Sequence, residues 1–148
     1  MTLIHRKAKP DDVDAIVELA VESVKRNALP VQLDPKAMRE MAMFALNPAH
    51  FQWVTEKDGV VVAALSAIAQ KSFWYRGLQA SALLLYSREP NAGVYLVREF
   101  ARWLKSRSGI KLAIIETEPG SDPRYLNILK RVGFSRESTN LCYVRNPE

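Results

Sequence analysis

Ala82-Leu83-Leu84-Leu85-Tyr86-Ser87-Arg88-Glu89-Pro90-Asn91-Ala92-Gly93-Val94 decides the fold of this chain. Its first five residues are apolar, too few for a helix, and read as a buried strand. Pro90 and Asn91 oppose continuation of that strand, so 87–93 becomes a turn. From Val94 to Arg107, Leu96, Phe100, Trp103 and Leu104 recur at helical spacing, and Lys111 to Glu116 reads as a second buried strand. Strand, loop, helix and strand within about 38 residues make one βαβ unit, whose two strands run parallel.

That geometry carries a chemical expectation. A helix beginning at Gly93, or just before it, turns its first free N–H groups and the positive end of its dipole into the loop. Such an end accepts phosphate, and Arg88 stands on the near side of the loop to help. Gly93 lets a ligand approach the backbone, and Asn91 tolerates a left-handed conformation better than most residues. The same residues also fit an ordinary strand-to-helix turn.

The segment Arg88-Glu89-Pro90-Asn91-Ala92-Gly93 resembles the (Arg/Gln)-x-x-Gly-x-(Gly/Ala) loop of the GCN5-related N-acetyltransferases, with Asn91 in place of the first glycine. Leu129-Lys130-Arg131-Val132-Gly133-Phe134 resembles that family's Tyr-x-x-x-Gly-Phe signature, with Leu129 at the tyrosine position. The order of elements is similar over nearly the whole chain. The resemblance implies that acetyl-coenzyme A, or another acyl-coenzyme A, is the cosubstrate. Its pyrophosphate would lie on Arg88, Glu89, Pro90, Asn91, Ala92 and Gly93, with Leu85 and Tyr86 on the strand before them and Val94 after them also binding the cofactor. It implies transfer of the acyl group to an amine by direct attack, the acceptor's size being open. A catalytically silent domain of the same fold, binding a ligand or partner, is the alternative that Leu129 and Asn91 favour.

The 148 residues are enough for one domain, 1–148, with a single substantial core. An apolar content of 48% with 25% charged residues is ordinary for a soluble globular chain. Charged residues between His5 and Asp12 interrupt any signal-like run, and no apolar stretch approaches ~20 residues. Cys142 is the single cysteine, which excludes an internal disulfide and a cysteine-rich metal site. The expectation is a cytoplasmic protein with no membrane span. A net charge of +5 attracts anions, coenzyme A and nucleic acid alike, so it identifies no partner.

In chain order, Leu3–Arg6 reads as a short strand, and Pro10 with Asp11 and Asp12 opens a helix that ends near Asn27. Val13, Ile16, Val17, Ala20 and Val24 make its apolar face. Asp34-Pro35 starts a second helix with Met38, Met41, Ala42 and Ala45 as its stripe, and Asn47-Pro48 stops it. Phe51–Thr55 and Val60–Ala69 are strands joined by a hairpin turn ending in Asp58-Gly59. Ala63, Ala64, Ala67 and Ala69 thin the second of them, so that a helix can approach. The loop at 70–78 carries Phe73, Trp74 and Tyr75; three adjacent aromatics cannot all face one core, so an acceptor pocket, a surface or a homodimer contact takes at least one. Asp122-Pro123 starts a helix with Tyr125, Ile128, Leu129 and Val132 on its buried stripe, ended by Gly133. Phe134–Glu137 and Asn140–Arg145 read as a final antiparallel pair. The sum is β-α-α-β-β-β-α-β-α-β-β, an α/β mixed sheet with helices on both faces.

Acyl transfer from a thioester needs a base for the amine and a proton for the departing thiolate. Glu116, at the C-terminal end of its strand, is the base candidate, because strand C-termini open onto the crevice of such sheets; a simple solvated carboxylate is the other reading. Tyr125 lies four residues before Leu129, one turn nearer the helix start on nearly the same face. It is the candidate acid, a half-buried core tyrosine being the other reading. Solvent also protonates thiolates. His5 and His50 sit at strand starts and are given no role.

Overall fold

Five extended segments become the strands of one sheet in the computed structural model, which describes residues 2–27, 29–117 and 123–145. They are β1 (Leu3–Lys7), β2 (Phe51–Lys57), β3 (Val60–Lys71), β4 (Leu78–Ser87) and β5 (Ile110–Ile114), in the spatial order β1-β2-β3-β4-β5. Neighbours are antiparallel except β4 and β5, which are parallel as the βαβ reading requires. The helices are α1 (Val13–Arg26), α2 (Pro35–Phe44), α3 (Ala92–Ser106) and α4 (Pro123–Val132), with a 3-10 turn at Pro10–Asp12 leading into α1. None among the described residues is long and apolar enough to cross a membrane.

The hairpin between β2 and β3 turns on Asp58 and Gly59, both at positive φ (52° and 81°), with Lys57 opposite Val60. This two-residue geometry matches the twist of the flanking strands. The alanines of β3 serve both faces of the sheet: Ala63 and Ala67 pack with Leu96, Val97, Phe100 and Leu129 of α3 and α4, and Ala64 packs with Val13, Ile16 and Leu19 of α1. Helices therefore cover both faces, and the small side chains let them come close. Leu96 and Phe100 are fully buried, each contributing about 1.5–3 kcal/mol relative to exposure. In α1 the buried stripe is Val13, Ile16 and Leu19, with Val17, Ala20 and Val24 only part-covered. The Asp34 carboxylate accepts from Ala37 N–H (3.1 Å) and starts α2, in which Ala42 is buried but Met41 is exposed. A buried chain from Ser66 Oγ to Gln52 Oε1 (2.7 Å) and from Gln52 Nε2 to the Ala42 carbonyl (2.7 Å) fixes the end of α2 to the sheet.

Asp12 does more than complement a helix dipole. Its carboxylate accepts two bonds from the Arg6 guanidinium (2.7 and 2.9 Å) and one from Lys9 N–H (2.8 Å), and Arg6 also holds Glu56 (2.9 Å). Arg6 holds the Asp12 carboxyl below its ordinary range, against the opposing effect of burial. A carboxyl with a depressed folded pKa contributes stability that is present above the unfolded value and lost as pH falls through the folded one. Asp12→Ala is therefore expected to cost about 2–3 kcal/mol in urea unfolding at neutral pH, a difference that shrinks on acidification below the usual carboxylate range. His5 donates or accepts at Thr55 Oγ1 (2.7 Å) and stacks on Tyr95 (4.3 Å), and burial pushes its pKa down. His50 Nδ1 accepts from Ala69 N–H (3.0 Å). Both histidines are structural.

The expected C-terminal strand pair does not form in the structure. Gly133 (φ 119°) ends α4, Phe134 N–H bonds back to the Leu129 carbonyl (2.9 Å), and the Phe134 ring folds onto Phe100 (6.1 Å). Residues 134–145 have no regular structure, with Leu141 and Tyr143 95% and 84% exposed. Alternating apolar residues make a segment suited to a sheet, but pairing needs a second strand in register, which a local pattern does not specify. The start signal at Asp122 lies outside the described residues.

Candidate functional site

β4 and β5 begin as neighbours and then part. Leu78 to Ser81 pair with β5, but no residue of β5 is paired with Ala82–Ser87. On that side the alternate backbone groups of β4 face a cleft instead of a strand. The cleft encloses about 810 Å³ between the second half of β4, the 87–91 loop, the start of α3, residues 115–117, α4 and the C-terminal turn of α1. Its volume lies within the range of small-molecule and cofactor sites.

The loop is held open by local bonds. Ser87 Oγ donates to the Glu89 carbonyl (2.6 Å) and accepts from Glu89 N–H (3.1 Å), and Arg88 N–H reaches the Val62 carbonyl (2.9 Å). The Glu89 side chain is paired with Lys57 at the hairpin (3.0 Å). Asn91 stands at the N-cap of α3 in the left-handed region, φ 74°, where the resembled motif has glycine. Asparagine is among the few side-chain-bearing residues that adopt this conformation readily. Its side chain makes no capping bond, so it does not use up the first N–H groups of α3.

Of the residues singled out from sequence, Leu85, Tyr86, Arg88, Glu89, Pro90, Asn91, Val94, Glu116 and Tyr125 all line this one cleft. Ala92 and Gly93 are buried beneath it. Glu116 is exposed, two residues beyond the end of β5. Leu129 is buried in the core between α3 and the sheet and has no access to the cleft. Tyr125, one turn earlier, lines it.

Two contacts change the reading of the loop. The expectation at Gly93 was room for a ligand, but the atoms that use the room belong to Tyr125: a Cβ on Gly93 would lie 2.4 Å from its hydroxyl and 3.1 Å from its ring. The tyrosine tip thus rests on the start of α3. Arg88, expected to point at a phosphate, is gripped by Glu22 of α1, with Nε–H donating at 3.0 Å and Nη2 to the second oxygen. Each shifts the other toward its charged form, Glu22 down and Arg88 up. The pair uses Nε and Nη2 of the guanidinium and leaves Nη1 available. Sequence reasoning missed this end of α1 altogether. Glu22 is 66 residues from Arg88, and Arg26, which also lines the cleft, reads only as a cation suited to a helix C-terminus.

The aromatic loop does not line the cleft. Phe73 and Trp74 are 95% and 91% exposed at the opposite end of β4, and Tyr75 turns back to Gln79 (3.4 Å).

No family model matches the chain, and no curated protein matches it by sequence. Solved structures match it closely in shape. A predicted acetyltransferase from Clostridium acetobutylicum, solved with acetyl-coenzyme A, superposes with a TM-score of 0.76 over 97% of this chain and 96% of its own, at 14% identity. A GCN5-related N-acetyltransferase from Ralstonia eutropha JMP134 gives 0.70 over 97% and 99%, at 17% identity. Glucosamine-6-phosphate N-acetyltransferase from Arabidopsis thaliana gives 0.69 over 97% and 98%, also at 17% identity. The chain has the fold of these proteins.

Proposed function

We propose, for a chain with the fold of the GCN5-related N-acetyltransferases, that it transfers an acyl group from acyl-coenzyme A to an amine. The observation that carries this reading is the cleft opened where β4 and β5 part, with the uncapped start of α3 at one end. Acetyl-coenzyme A, when bound, would supply the thioester carbonyl that the amine attacks, the C–N bond forming as the C–S bond breaks. The first N–H groups of α3 and Arg88 offer donors to a pyrophosphate. The edge of β4 facing the cleft offers backbone N–H groups to a carbonyl oxygen as negative charge develops on it. Glu116 is assigned the proton leaving the amine, and Tyr125 the delivery of a proton to the thiolate, with solvent restoring it.

A cofactor-binding test separates this from a purely structural role for the loop. Calorimetry should detect acetyl-coenzyme A on the unaltered protein, and Arg88→Gln should weaken it roughly ten- to hundredfold. Glu22→Gln is the control, because it breaks the same ion pair but keeps the guanidinium and removes a nearby carboxylate. It should preserve or tighten binding. Equal losses in both variants would mean that Arg88 acts only by holding α1, and no binding at millimolar ligand would end the cofactor assignment. The burial of Leu129 where the resembled signature has tyrosine favours a second reading, a binder without turnover. Mass-spectrometric assay of a panel of amines with acetyl-coenzyme A distinguishes the two.

A further inference from the structure

Three neighbouring segments at the end of the sheet away from the cleft are residues 43–51, 69–79 and 104–112: the exit of α2, the connection from β3 to β4, and the last turn of α3 leading into β5; the β1–α1 connection (8–12) lies at the same end, by the β1 edge. β4 runs from this end to the cleft, ten residues or about 30 Å. These three segments hold Lys71, Arg76, Lys105, Arg107 and Lys111 and contain no Asp or Glu. The β1–α1 connection at the same end carries Lys9, Asp11 and Asp12, so the unbalanced cations are confined to one pole of this end, the side formed by the β3–β4 connection and the exit of α3. All five cations are exposed, and none is paired with a carboxylate among the described residues.

Two further features share the pole. Phe73 and Trp74, between Lys71 and Arg76, leave nearly their whole ring surface in water. Leu78 N–H bonds to the Gly109 carbonyl (2.9 Å), which seats the aromatic hairpin beside the 106–110 turn. There a hollow of about 330 Å³ is lined by Arg107, Ser106 and Ser108 together with Ala49, Leu78 and Ile110, the Ser106 hydroxyl donating to the Trp103 carbonyl (2.7 Å). Arg107 is held in place by its bond to the Pro48 carbonyl (2.9 Å) and by lying over the Trp103 ring (5.3 Å).

We propose that this pole binds single-stranded nucleic acid. Cations without carboxylate partners attract phosphates, and exposed rings offer faces on which unpaired bases stack without regard to sequence. The hollow beside the aromatic hairpin adds the Arg107 cation, within reach of a phosphate seated there. A flat anionic bilayer cannot enter it. Duplex DNA meets the charges but has no free base for the rings. The inference stands independently of acyl transfer, because none of these residues lines the cleft.

The test is fluorescence anisotropy of a labelled oligothymidylate at low salt. The expected result is binding whose affinity falls steeply with salt, by about 0.7 in logarithmic slope for each phosphate neutralised. Phe73→Ala and Trp74→Ala should each weaken it about five- to hundredfold with unchanged thermal melting, since both rings are exposed. Lys71→Gln and Arg76→Gln should lower the salt slope. Absence of binding at low salt, equal affinity for duplex, an unaffected Trp74→Ala variant, or binding to phosphatidylserine vesicles without the oligonucleotide would each overturn the proposal.

Discussion

Tyr125→Phe is expected to lower amine acetylation by ~10²–10⁴-fold in turnover while leaving folding and acetyl-coenzyme A binding in place. The substitution removes one hydroxyl and keeps the ring that packs against α3. Tyr125 lines the cleft that Glu116 and the second half of β4 also line, and it is placed there because α4 buries Leu129 one turn later in the core. Leu129, where the resembled signature has tyrosine, does not line the cleft, whereas Tyr125 does. The effect should fall on turnover rather than on KM, because a proton given to the leaving thiolate matters only as the C–S bond breaks. A turnover within about twofold of the unaltered protein would show that solvent does the work.

Substitution at Gly93 should be the next most damaging. A Cβ there would stand 2.4 Å from the Tyr125 hydroxyl and 3.1 Å from its ring, closer than atoms pack. Gly93→Val must push the tyrosine off the helix start, so turnover should fall about as far as in Tyr125→Phe. Stability should fall as well, by roughly 1–3 kcal/mol, the usual cost of overpacking. The sequence alone reads Gly93 as room for a ligand; the structure adds a stability cost and names its cause. A double-mutant cycle isolates the contact: in a Tyr125→Ala background, Gly93→Ala should cost almost nothing more. Additive losses in that cycle would mean that Gly93 serves something other than the tyrosine.

Features set by neighbours along the chain were legible without coordinates. Continuous apolar runs marked β4 and β5, helical spacing marked Leu96 and Phe100 on α3, and Asp58-Gly59 marked the hairpin, because each depends only on the period and turn chemistry of adjacent residues. Asn91 at the helix start belongs with these, since a left-handed residue is a local requirement. Other features depend on what lies across space. That β4 and β5 pair only as far as Ser81 depends on which residues meet in register, which neither strand's composition specifies. Glu22 meets Arg88 only because α1 crosses the sheet beside the loop, and Tyr125 meets Gly93 only because α4 packs on α3. The alternation in Asn140–Arg145 specified a face but no partner, and the expected strand did not form. The sequence by itself determined the elements and the loop, through short-range sterics and periodicity. Which side chains occupy the cleft, and which of its cations are already held, was decided by long-range packing that no local pattern encodes.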